Sequence, residues 1–184
     1  CRYNRIFGKG KTGNMKRIGI LSDTHAYWDD RYATFLEGCD EIWHAGDVGS
    51  YEILDRLSKI ATVRAVWGNC DGQDVRRFTT EIYRFRVEDA NIMIKHIGGS
   101  PDHYDRSVRQ QLLTETPDLL VCGHSHRLKG MHDKQFNMLF INQGAAGLQG
   151  LPKVRTLVRL EVEGRTFRNL EVLEIKRETD SPNY

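Results

Sequence analysis

The feature that most constrains the fold is a repeated unit, a short apolar run that stops at a turn bearing Asp, Asn or His, usually after a glycine. Ile18-Gly19-Ile20-Leu21 leads into Ser22-Asp23-Thr24-His25, and Leu119-Leu120-Val121-Cys122 leads into Gly123-His124-Ser125-His126. Between them, Trp43-His44-Ala45-Gly46-Asp47 and Val66-Trp67-Gly68-Asn69-Cys70-Asp71 place an oxygen ligand after a glycine. Short apolar runs bounded by turn residues read as buried strands. The period of two in a strand would then put Asp23 with His25, and His124 with His126, on one face. In open α/β sheets, sites gather at the carboxyl ends of strands, so four such ends can converge.

The stretches between these strands have a different period. Residues Tyr32 to Cys39 and Tyr51 to Ile60 read as helices, the second with Ile53, Leu54, Leu57 and Ile60 at helical spacing, and Glu41 to Ala45 and Val63 to Trp67 read as strands. Glu81 to Val87 and Asn91 to His96 alternate like a hairpin about Glu88-Asp89-Ala90, and a helix is expected over Tyr104 to Leu113. Strands at Leu119 to Cys122 and Met138 to Ile141, and a hairpin of Thr156 to Val162 with Thr166 to Ile175, complete the pattern. This order predicts an α/β (α+β) fold of mixed sheets flanked by helices, in one domain over residues 15–176. Residues 1–14 are expected to be an upstream extension or a cloning remnant, and 177–184 a tail. Gly8, Gly10 and Gly13 have GxGxxG spacing, but a dinucleotide loop follows a strand, and here a strand follows the glycines.

Length and composition set the outer limits. A chain of 184 residues suffices for one core that buries roughly 70% of the unfolded surface. With 27 basic and 25 acidic residues the net charge is only +2, so no electrostatic footprint for nucleic acid or an anionic membrane is expected. No apolar run approaches the roughly 20 residues that span a bilayer. Cys1, Cys39, Cys70 and Cys122 are widely separated and form no CxxC pair, which predicts reduced thiols and a cytoplasmic protein.

In the order DxH, GD, GN, H, GHxH, the residues Asp23, His25, Asp47, Asn69, His96, His124 and His126 resemble the ligand set of the calcineurin-like metallophosphoesterases, in particular the YfcE-like phosphodiesterase branch. The resemblance runs from Met15 to about Glu174. It implies a single-domain sandwich of two mixed β-sheets flanked by helices. Asp23, His25 and His126 would bind one divalent ion, Asn69, His96 and His124 a second, and Asp47 would bridge them. On spacing alone His96 is equally a satisfied residue after Ile92-Met93-Ile94; Gly98-Gly99 and the family order favour a ligand. The activity implied is phosphodiester hydrolysis by a metal-bridging hydroxide, with a small phosphate ester as substrate and Asp47, Asn69 and Cys70 as the catalytic residues. Manganese is the first expectation, with nickel, iron(II) or zinc as alternatives, because mixed carboxylate, amide and imidazole ligands select no single metal. A homodimer is implied by resemblance alone.

The pattern departs from the family at two places. The GN motif usually continues with histidine, where this chain has Cys70. A thiol with a pKa near 8.5 can donate a proton but stabilises a leaving alkoxide poorly, so leaving groups of low pKa should react best; Cys70 is equally a packing residue. The segment Ile141 to Ala146 lacks the usual proline, glycine and serine, so a substrate-facing loop should differ. His44, His103 and His132 are expected to pack or face solvent, and Arg106, Arg109 and Lys129 are surface charges that could meet a phosphate. The rival readings are a phosphomonoesterase with the same metal pair and a protein-binding scaffold of the kind that the resembling retromer subunit provides; cleavage of nucleic acid ranks below these.

Overall fold

A computed structural model describes residues 15–177. The extension with its glycines, Cys1, and all of the tail but Arg177 lie outside the described residues. The elements are β1 (Lys16–Leu21), α1 (Asp30–Leu36), β2 (Glu41–Ala45), α2 (Tyr51–Ser58), β3 (Thr62–Val66) and α3 (Gln73–Arg76). Next come β4 (Ile82–Val87), β5 (Ala90–Lys95), β6 (Gly99–Ser100), β7 (His103–Tyr104) and α4 (Arg106–Thr114). The chain continues through β8 (Leu119–Cys122), β9 (Leu128–Asp133), β10 (Met138–Gln143), β11 (Val154–Glu163) and β12 (Thr166–Lys176).

Two five-stranded mixed sheets are formed, in the orders β12-β11-β1-β2-β3 and β4-β5-β8-β10-β9. Strands β1, β2 and β3 run parallel in the first sheet, and β5, β8 and β10 run parallel in the second. Alternate residues explain the layering. Ile18, Ile20, Trp43 and Ala45 meet Ile92, Ile94, Leu119 and Val121 between the sheets. The opposite faces are apolar too: Leu21 and Ile42 pack under α1 and α2, while Met93, Leu120 and Cys122 pack under α4. Strands buried on both faces read as continuous apolar runs. Where α1 crosses β1 there is no room for a side chain, since a Cβ on Gly19 would lie 2.2 Å from Leu36 Cδ2.

Helix ends follow their caps. Asp29, Ser50 and Asp105 accept backbone N–H groups at the starts of α1, α2 and α4. The first helix therefore begins earlier than apolar spacing suggests and stops before Gly38, whose φ is +75°. Three features escape the periodicity. The strand β9 is exposed except at Asp133 and lies at a sheet edge, the helix α3 is a single turn, and β6 with β7 are two residues each. His103 and His132, expected to pack or face solvent, lie on β7 and β9 and are exposed.

Candidate metal centre

The carboxyl ends of β1, β2, β3, β5 and β8 meet at one edge of the sandwich, from both sheets. The expected alternation along a strand is not what aligns the residues there. Strand β1 ends at Leu21 and β8 at Cys122, and Asp23, His25, His124 and His126 have φ of 54°, 46°, 67° and 57°. Asp47 joins them at 51°. Left-handed backbone at non-glycine residues is uncommon, and its concentration here is local strain held by surrounding structure at the candidate centre.

Several hydrogen bonds hold that backbone. Asp23 N–H donates to Gly46 O at 2.9 Å and His25 N–H to Asp47 O at 3.0 Å, so the first two loops run together beyond their strands. Asp71 is buried and its carboxylate accepts N–H groups from Val48, Gly49 and Gly68 at 3.2, 2.7 and 2.8 Å, tying the loop of Asp47 to that of Asn69. Glycine is required where these loops touch, because a Cβ on Gly68 would lie 2.1 Å from Asp47 Oδ1. On the other side Asn142 donates to Gly123 O at 2.7 Å and Ser125 Oγ at 3.0 Å. Residues 141–147 are buried, and Ala146 and Gly147 N–H groups bind Ser22 and Asp23 carbonyls. That segment braces the centre from within, and its Asn142 also lines the cavity beside His124, so it supports the site more than it forms the substrate-facing loop expected of it.

The potential ligand atoms fall into groups whose members lie within 4.8 Å of one another: Asp23, His25 and His126; Asp47, His96 and His124; and His25, Asp47 and Cys70. Asp23 Oδ1 is 3.1 Å from His126 Nε2, while its Oδ2 accepts from Ser22 Oγ and, at 3.2 Å, from His124 N–H. Asp47 Oδ2 lies 3.2 Å from His96 Nε2 and 3.9 Å from His25 Nε2. Its Oδ1 accepts the Cys70 N–H at 2.8 Å. Asn69 and His96 line one recess of about 70 Å³, with Asn69 Nδ2 3.3 Å from Cys70 Sγ.

Charge and hydrogen bonding both suit a cation. His25 Nε2 and His96 Nε2 are buried without a hydrogen-bond partner, although both point toward Asp47. Unpartnered buried ring nitrogens are costly, and a divalent ion at each of the two groups would satisfy its own. Burial alone would raise the Asp47 carboxyl, yet His96 and the Cys70 N–H hold it well below the usual carboxylate range. Burial disfavours a charged His96, but Asp47 and Asp23 outweigh it and raise its pKa; Asp23 raises His126. These carboxylates thus draw protons onto the imidazoles, and a bound cation would replace those protons. Desolvation, then Asp47, pushes the Cys70 thiol up, which favours its protonated form.

His44 belongs to the scaffold, as expected of it. Its Nδ1 accepts Gly46 N–H at 3.2 Å, its Nε2 lies 3.0 Å from Thr24 Oγ1, and burial lowers its pKa to about 4. Sequence reasoning missed the roles of Asp71, Ser22, Gln143 and Asn142. Only Asp71, closing a Gly-Asn-Cys-Asp turn, carried a local signal, since Asp in such turns bonds nearby backbone N–H groups.

Residues 15–165 match the calcineurin-like phosphoesterase superfamily domain. The chain is 32% identical over 192 aligned positions to a probable metallophosphoesterase of Methanocaldococcus jannaschii, covering 92% of this chain and 96% of that protein. Among solved structures it is similar to an archaeal phosphodiesterase, with TM-score 0.68 and 22% identity over 85% of this chain and 99% of that one. It is also similar to Vps29 of Entamoeba histolytica complexed with Zn2+, with TM-score 0.68 and 17% identity over 87% and 98% of the two chains. At these identities the structural likeness is one of fold.

Proposed function

The chain belongs to the calcineurin-like phosphoesterase superfamily, and from that premise we propose that it hydrolyses phosphodiesters with two divalent cations. Asp23, His25 and His126 would hold one, Asn69, His96 and His124 the other, and Asp47 both. The observation that carries this reading is that Asp47 stands in one ligand group with His25 and in another with His96 and His124.

A pair of cations so placed supplies a water of lowered pKa and neutralises the attacking and leaving oxygens at phosphorus. The chain's own contribution is positioning. The Cys70 N–H fixes one oxygen of Asp47, leaving the other toward His96 and His25. Cys70 lies beside Asp47 where it can give a proton to a departing oxygen, and a thiol, unlike an imidazolium, offers no positive charge, so aryl leaving groups are favoured over alkyl ones. Manganese is the proposed metal, on the mixed donor set. A cytoplasmic setting is part of the same proposal, supported by the free thiols of Cys39, Cys70 and Cys122; no helix among the described residues is long and apolar enough to cross a membrane.

A scaffold that only binds protein would have no need of the seven candidate ligands present in this chain. The test between ester classes is turnover of bis(p-nitrophenyl) phosphate against p-nitrophenyl phosphate with added manganese. Faster hydrolysis of the diester is expected; a clear preference for the monoester would replace this reading with a phosphomonoesterase.

A further inference from the structure

His124 also forms part of the wall of a cavity of about 360 Å³ whose other lining includes Arg127, Lys129, His103, Ser100 and Ser125. No Asp or Glu lines it. Among the described residues, Arg127 and Lys129 are in no ion pair, so the positive charge they bring to this cavity is not neutralised by a side chain. Two unneutralised cations beside one metal centre repel each other and the metals, which favours an anion between them.

Backbone pairing fixes their place. Lys129 is opposite Asn142 in the β9–β10 register, and Asn142 holds Gly123 and Ser125 on either side of His124. Arg127 follows the same loop. On the far side, Gly99 at φ +75° allows the tight β6–β7 hairpin that carries His103, since a Cβ there would meet His103 O at 2.3 Å. A guanidinium, an ammonium and two hydroxyls with an imidazole are donors arranged about one volume. That array suits a tetrahedral dianion better than an uncharged arm.

We propose that this cavity binds a second phosphate on the organic arm of the substrate, making small esters with two phosphate groups the preferred class. The proposal rests on the phosphoesterase reading only in placing the scissile phosphate at His124. The cavity beyond His126 shares His124, Ser125 and Arg127 with it but has Gly150, Leu151 and Pro152 where this one has Lys129, His103 and Ser100, so the two arms of a diester meet unlike surroundings.

The test compares, by calorimetry on the manganese-loaded protein, thymidine with phosphates on both sugar hydroxyls and thymidine with the 5′-phosphate alone. The doubly phosphorylated probe should bind about tenfold more tightly. Lys129→Ala should bring the two to parity and Lys129→Arg should keep the difference. Turnover of bis(p-nitrophenyl) phosphate should stay within about twofold in all three proteins, because this diester has no second anion to place. Equal binding of both probes by the wild type, or an equal loss of both in Lys129→Ala, overturns the proposal. Binding is read whether or not the aryl diester is hydrolysed, so the cavity and the phosphoesterase reading fail separately.

Discussion

The imidazole of His96 donates its Nδ1–H to the carbonyl oxygen of Ala45, at 2.7 Å, from one sheet to the other. A carbonyl only accepts, so Nδ1 carries a proton, and Nε2, which faces Asp47, is the ring nitrogen left to bind a cation. One hydrogen bond thus sets the tautomer of a candidate ligand and joins the two halves of the site. His96→Ala should lower metal content from two ions to one per chain and reduce diester turnover by at least about 100-fold. Metal analysis of dialysed protein, paired with initial rates, checks both.

Asp71 touches no proposed metal site, yet its carboxylate holds three backbone N–H groups around Asp47. Asp71→Ala leaves those donors unpaired and should cost about 2 kcal/mol of stability. Metal affinity should fall about 10- to 100-fold through the loosened loop. Urea unfolding and a metal titration separate the two effects.

Gly68→Ala sets a methyl group 2.1 Å from Asp47 Oδ1 and should abolish metal binding or force the loop open. Gly130→Ala, with nothing within 4 Å of the new methyl, is the matched control. It should bind metal like the wild type, as judged by the same titration.

Acid should act through Asp29. Arg31, then Arg155, holds its carboxyl well below the ordinary carboxylate range, against burial. The unfolded chain therefore binds the proton first, and this stability is present above about pH 4 and lost as pH falls through the lowered folded value. Asp29→Ala strands the buried Arg155 and should cost about 3 kcal/mol at neutral pH. Its unfolding free energy should also fall less steeply than that of the wild type below pH 4, measured in urea.

Cys70→His places an imidazole where the thiol sits beside Asp47. It should raise turnover of alkyl diesters by about 100-fold relative to aryl diesters, as a general acid of suitable pKa does. Rates on a matched alkyl and aryl pair decide this.

Much of this was legible because local signals and tertiary packing agree. Ile18 to Leu21 and Leu119 to Cys122 are apolar on both faces since each sheet is covered on both sides, and the polar turns after them hold the candidate ligands. Alternation along a strand does not pair Asp23 with His25: β1 has ended at Leu21, and both residues lie in the left-handed backbone of the turn that follows. The braces were illegible because their partners are remote in sequence. Gln143 donates to Ser22, and Arg155 reaches Asp29, across more than a hundred residues. The edge strand β9 stayed hidden because its exposure follows no period of two.

The most direct test of a shared metal pair is the metal content of the wild type and Asp47→Ala, measured together with bis(p-nitrophenyl) phosphate hydrolysis. The account predicts two ions per chain and turnover for the wild type, with at most one weakly held ion and no turnover above background for Asp47→Ala. Equal metal content and equal activity in the two proteins would contradict it.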